Sequence, residues 1–248
     1  MASALRRPLL AGNWKMNLTL TQSVELARLV VSGANTASGE VAVFVPFTAI
    51  AVVAETLKGS PVRLGAQDCY WEASGAFTGE VSVSQVSDAG GQMVLIGHSE
   101  RRKLFGETDD HVNKKLGAAL KGGLTPVVCI GETLEERESQ KTWRVLETQI
   151  AGGLKGFAPA DLAKVVVAYE PVWAIGTGKT ASPAQAQEAH AFIRQQLKNI
   201  HEGFASGCRI LYGGSVTADN VDALMAQADV DGALVGGASL KKDFLRIM

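Results

Sequence analysis

The chain has 248 residues, 46% hydrophobic and 20% charged, enough apolar material for a sizeable core in one or two domains. Its 24 basic and 25 acidic side chains nearly cancel, which argues against nucleic acid or an anionic membrane as the main partner. No apolar run approaches the ~18 residues of a membrane span, and the opening stretch MASALRRPLLAGN lacks the apolar segment of a secretory signal, so a cytoplasmic protein is expected. Cys69, Cys129 and Cys208 are odd in number, far apart and without CxxC spacing, a pattern that excludes a full disulfide framework and a common zinc site and reads as reduced, buried thiols.

In chain order, residues 9–13 form a short apolar segment ending in Asn-Trp-Lys, and 21–31 has helical spacing. A strand at 41–45 stops at Pro46, a helix follows over 49–57, and 62–67 is a third strand. A longer loop with Tyr70, Trp71 and Phe77 precedes a fourth strand at 93–97. His98 stands at its end, with Ser99 as a candidate helix cap and Glu100 in the first helical turn. A helix is predicted over 109–120, a fifth strand over 125–130 and one long helix over 134–150. The β-branched run that begins at Val165 is a sixth strand, ending at Glu170 before Pro171. Ser182, Pro183 and Gln185 make a capping box for a helix whose core stripe is Ala189, Ile193, Leu197 and Ile200. Strand seven at 209–212 leads through GGSV to a helix from Thr217, and strand eight at 231–235 leads through GGASL to a terminal helix. Eight strand–helix units with short connections predict an α/β fold, a single (β/α)8 barrel of parallel strands spanning residues 1–248 as one domain.

In such a barrel the strand C-termini share one rim. Asn13 and Lys15 follow strand one, His98 strand four, Glu170 strand six, Ser215 strand seven, and Gly236 and Gly237 strand eight. Paired glycines between a strand and a helix start free backbone N–H groups to face an anion; one Gly-Gly is only a tight turn, but two adjacent loops point to a phosphate cradle. GTGKT at 176–180 is not a nucleotide-binding P-loop, because position 173 is Trp where that motif needs glycine. A carboxylate at a strand end can take a proton from carbon beside a carbonyl if the developing oxyanion is stabilised. Glu170 is the candidate base, followed by a lid-like apolar loop. His98 is a candidate neutral donor at a helix start, Lys15 a fixed cation and Asn13 an amide donor. His111, His190 and His201 fall on predicted helices and read as structural.

GNWKMN at 12–17, GHSERR at 97–102, CIGET at 129–133, AYEPVWAIGTGK at 168–179, YGGSV at 212–216 and LVGGASL at 234–240 resemble the motifs of the triosephosphate isomerase family, in the family's order and over nearly the whole chain. The resemblance implies interconversion of dihydroxyacetone phosphate and D-glyceraldehyde 3-phosphate through an enediolate, without cofactor or metal. It implies that Glu170 is the base, His98 the electrophile, and Asn13 and Lys15, with Trp14 between them, substrate-binding residues. Gly176 matches a lid amide on the phosphate, and Ser215, Gly236 and Gly237 the other phosphate amides. Glu100 matches a supporting carboxylate, and Cys129 a packing thiol beside the site. The hinges match 171–173 and 179–181, with 174–178 as the moving tip. The loop over residues 68–80 is implied to insert into a second copy, with Thr78 approaching that copy's Asn13 and His98, so that a homodimer completes the site. Two other functions fit the sequence less well. A Schiff-base aldolase needs a lysine inside a strand, which the strands lack, and a non-catalytic phosphosugar-binding protein would not need Glu170, His98 and Lys15 together.

Overall fold

The computed structural model describes residues 6–175 and 180–248. Eight strands close in sequence order into a parallel barrel: β1 Leu9–Asn13, β2 Glu40–Val45, β3 Arg63–Ala66, β4 Met93–Ile96, β5 Thr125–Ile130, β6 Val166–Tyr169, β7 Ile210–Tyr212 and β8 Gly232–Val235. The ring closes where β1 pairs with β8, Leu9 lying beside Gly232. Between and after the strands run α1 Leu20–Ala34, α2 Ile50–Leu57, α3 Val83–Asp88, α4 Ser99–Phe105, α5 Asp109–Lys121, α6 Leu134–Glu138, α7 Thr142–Gly153, α8 Pro159–Leu162, α9 Pro183–Ile200, α10 Glu202–Gly207, α11 Val221–Met225 and α12 Phe244–Ile247. No helix among the described residues is long and apolar enough to cross a membrane.

The period of two along each strand divides the core. Leu9, Ala11, Phe44, Met93, Leu95, Cys129, Ala168, Leu211 and Leu234 fill the barrel interior. Leu10, Val43, Val94, Ile96, Val128, Val167 and Ile210 point outward into a second cluster shared with the helices. The interior is tight enough to dictate a glycine on β3: a Cβ on Gly65 would lie 2.3 Å from the Phe44 ring. The same alternation sends Asn13 inward and Trp14 outward.

Several expectations need correcting. The helix over 134–150 is two helices, because Gln140 takes the left-handed region at φ 56° and Lys141 N donates back to Glu136 O, which reverses the chain between α6 and α7. His98, not Ser99, is the N-cap of α4. The helix expected from Thr217 begins at Val221, since Asn220 Oδ1 first accepts from Thr217 N and ties 217–220 into a turn. Ile200 ends α9 half-exposed instead of completing its core stripe. His201 caps α10, its Nδ1 accepting from Phe204 N at 3.3 Å. The three cysteines are buried and unpaired, and burial pushes the Cys69 and Cys208 thiols up to about 12.

His190 of α9 is fully buried, with Nδ1 at 3.2 Å from Asp229 O and its ring beside Tyr169 and Tyr212. A carbonyl oxygen only accepts, so Nδ1 holds the proton and Nε2 is the bare nitrogen. Burial holds its pKa down to about 4 from an ordinary 6.5. As pH falls below 6.5, the unfolded chain therefore takes up a proton that the folded chain refuses until about 4, and stability drops through that window. This group should remove about 2 kcal/mol by pH 5. Urea titrations at pH 7 and pH 5 check it: His190→Gln should lose stability at pH 7 yet show a shallower fall to pH 5, and an unchanged fall would rule the group out.

Candidate active site

The C-terminal rim gathers Asn13, Lys15, His98, Glu170, Gly213, Ser215, Gly236 and Gly237 around one cavity of about 560 Å³. Lys15 sits in the left-handed region at φ 52°. Asn13 Oδ1 accepts from Lys15 N at 3.0 Å, and Gln67 Nε2 donates to Lys15 O at 2.9 Å, so side chains on two strand ends hold this unusual turn. The turn brings the lysine chain back over the barrel mouth. Its Cε would lie 3.5 Å from a Cβ placed on Gly236, and its Nζ pairs with Glu100.

Glu170 is 2% exposed at the end of β6. One carboxylate oxygen lies 2.9 Å from His98 Nε2, and the other accepts from Ser99 N at 2.9 Å. Burial pushes its pKa up, but the His98 ring, the Ser99 amide and the Lys15 charge outweigh burial and hold it below the ordinary carboxylate value. His98 is likewise buried and disfavours charge for that reason, yet the Glu170 carboxylate and the Glu100 charge lift it above an ordinary imidazole. The ring's other nitrogen decides the tautomer. Nδ1 accepts from Glu100 N at 3.2 Å, so the proton belongs on Nε2, facing the cavity. Once Glu170 moves off the ring, burial remains the largest influence and favours the neutral donor, while the Glu100 and Lys15 charges oppose each other.

At the far end of the cavity, Gly236 and Gly237 open the 3-10 turn Gly237–Leu240. Ser215 follows β7, its carbonyl accepting from Asn220 Nδ2 at 3.1 Å. Val216, Thr217, Ala218 and Lys241 complete this end. Backbone groups of two adjacent strand–turn junctions thus line one pocket that also reaches Lys15, a geometry fit for an anion.

Trp14 is a correction. It is fully buried in the outer core and does not line the cavity, because its place in the β1 alternation faces the helices. Glu100 lies at the rim with its Oε2 3.7 Å from His98 Nδ1. Thr78 is exposed on the loop after β3 and does not line this chain's own cavity. Gly176 lies outside the described residues.

Four further residues support the site although the motifs give none of them a place in it. Gln67 and Asn220 hold loops through their side chains, and Ser99 acts through its amide. Glu132 is fully buried and accepts from Tyr169 Oη, Trp173 Nε1 and Arg137 Nη1. Its carbonyl also takes Val172 N at 3.0 Å, so it ties down the start of the loop after β6. Glu132 falls inside the CIGET motif, which marked the place without revealing the partners.

Glu170 is also packed from the β7 side. A Cβ on Gly213 would meet Glu170 Cγ at 2.8 Å and Tyr169 O at 3.2 Å. Gly213→Ala should therefore displace the carboxylate and reduce kcat by about tenfold or more, with a smaller effect on KM. Steady-state kinetics on folded protein check this, and an unchanged kcat would mean the side chain yields freely.

A sequence model of triosephosphate isomerase matches residues 8–248. The triosephosphate isomerase of Geotalea uraniireducens is 54% identical over 241 residues, covering 96% of each chain. That of Citrifermentans bemidjiense is 55% identical over 242 residues, covering 96% of this chain and 95% of its own. The crystal structure of the Bartonella henselae triosephosphate isomerase superposes with a TM-score of 0.88 at 40% identity, covering 97% of both chains. The strand-end carboxylate, the histidine donor and the two glycine loops thus sit in a chain of that ancestry: it belongs to the triosephosphate isomerase family.

Proposed function

We propose that Glu170, His98, Lys15 and Asn13 carry out the family's reaction in this chain, the interconversion of dihydroxyacetone phosphate and D-glyceraldehyde 3-phosphate in glycolysis and gluconeogenesis. The observation that carries the assignment is the buried Glu170 carboxylate, held at 2.9 Å from His98 Nε2 in the cavity that also contains Lys15 and both glycine loops.

The phosphate is held by the amides around Ser215, Gly236 and Gly237, with the Lys15 cation beside them. The lid amide at Gly176 completes the grip when the loop closes, shutting out water and retaining an intermediate that would otherwise expel phosphate. Glu170 turns from His98 and Ser99 toward the substrate and takes a proton from C1 of the ketone. The C1–H electrons become the C1–C2 double bond, and charge collects on the C2 oxygen, where His98 Nε2–H and Lys15 stabilise it. The oxyanion is protonated, the C1 hydroxyl gives up its proton, and Glu170 returns its own proton to C2. The product is the aldehyde, with no net gain or loss of electrons and no cofactor or metal in the scheme. Asn13 shapes the turn that presents Lys15 and offers an amide to the same oxygens. Glu100 holds the lysine head in place.

The active form in this reading is a cytoplasmic homodimer of one-domain chains. Met16 is 95% exposed next to the site, and Phe77 is 39% exposed on the loop after β3, apolar surface that a second copy would cover. Thr78 then approaches Asn13 and His98 of that copy.

A coupled assay with glyceraldehyde 3-phosphate tests the reaction, and absence of turnover by folded protein would sink it. Glu170→Asp keeps the charge but shortens its reach, so kcat should fall about 10²-fold with little change in KM. Lys15→Met should weaken substrate binding and turnover together; near-normal kinetics would remove the lysine from the site. Light scattering should give about twice the 26.1 kDa of one chain, whereas a monomeric, fully active protein would overturn the dimer.

A further inference from the structure

A second cavity of about 300 Å³ shares Glu170 with the first and is lined from the ends of β4, β5 and β6, with Ser99, Gly131, Thr133 and Gln149 among its lining residues. Gln149 reaches it from α7. Its Oε1 accepts from Gly131 N at 2.8 Å and its Nε2 donates to Gly131 O at 3.2 Å, so one side chain closes both backbone groups of one residue. Gly131 is pressed against the base: a Cβ there would fall 1.8 Å from Glu170 O. Its neighbours hold the backbone on both sides of the base, Ile130 O accepting from Glu170 N at 2.7 Å and Glu132 O from Val172 N at 3.0 Å.

We propose that Gln149 is a positioning residue for the isomerisation, fixing the 130–132 segment and through it the reach of Glu170, although it touches neither substrate nor carboxylate. The inference rests on the assignment of Glu170 as the base. A strand end is free to shift where its last N–H and C=O have no partner across the sheet, and Gly131 has no side chain of its own to lock it. The two hydrogen bonds from α7 replace that lock. Without them Gly131 would turn to water in the second cavity, and the Glu170 backbone that rests on it would follow. A displacement well under 1 Å is felt at the reacting carbon, because proton transfer needs near-contact geometry, while the phosphate amides on β7 and β8 are untouched.

Gln149→Met keeps the length and most of the volume of the side chain and removes both hydrogen bonds. We expect kcat to fall about tenfold, with KM and inhibition by inorganic phosphate within twofold of the parent. The Glu170 carboxyl, followed by 13C NMR against a Glu170→Gln reference, should titrate closer to an ordinary glutamate as its contacts with Ser99 and His98 loosen. Gln149→Glu, which keeps the acceptor for Gly131 N–H and forfeits the donor, should lose about threefold in kcat and serves if the first variant folds poorly. Parent-like kcat in a folded variant would overturn the inference, as would equal changes in kcat, KM and phosphate inhibition. If the parent itself shows no turnover, the assigned reaction fails instead, and the Glu170 titration still decides whether Gln149 positions that carboxylate.

Discussion

A buried carboxylate organises this molecule. Glu170 has almost no contact with water, and a lone carboxylate in such a place would give up its charge. It stays ionised because a ring nitrogen and a backbone amide meet its two oxygens. Both come from the turn after β4, so the charge on one strand end depends on the conformation of another two strands away. The left-handed turn at Lys15 adds a cation from β1. What looks like a local active site is a balance of partial charges delivered by separate staves of the barrel, and only closure of the barrel brings them within range of each other.

In the proposed reaction Glu170 rests paired with His98, the very group it would later work beside. Its hydrogen bonds keep the His98 Nε2 proton facing the cavity and the carboxylate desolvated until a ligand competes for it. Under that proposal the ligand must offer enough binding elsewhere to draw Glu170 away, and the two glycine loops lining the same cavity are where it would find such binding. Binding at one end and rearrangement at the other are thereby linked, so that remote contacts contribute to the chemical step.

The alternation of apolar residues and the short turns made the barrel legible in the sequence, and strand ends varied by only a residue or so. The convergence of Asn13, Lys15, His98 and Glu170 followed from the barrel alone. Trp14 departs from what the resemblance implies because strand alternation puts chain neighbours on opposite faces. The break at Gln140 was hidden because a left-handed glutamine leaves no compositional mark and both flanking segments are good helix formers. Ser99 escaped for a different reason: its contribution is a backbone amide, which every residue but proline possesses. Gln67, Glu132 and Asn220 act on atoms remote in sequence, and no local pattern encodes such partnerships.

The two glycines beside the base also bear on how this scaffold can be redesigned. Gly131 and Gly213 flank Glu170 so closely that a side chain at the first would meet its backbone and one at the second would press on its carboxylate arm. The usual route to altered reactivity, a new functional group next to the catalytic one, is therefore closed on both neighbouring strands. New chemistry would have to be introduced from the loops above the barrel mouth or from the layer beneath, where Cys129 lies under the carboxylate in the barrel interior.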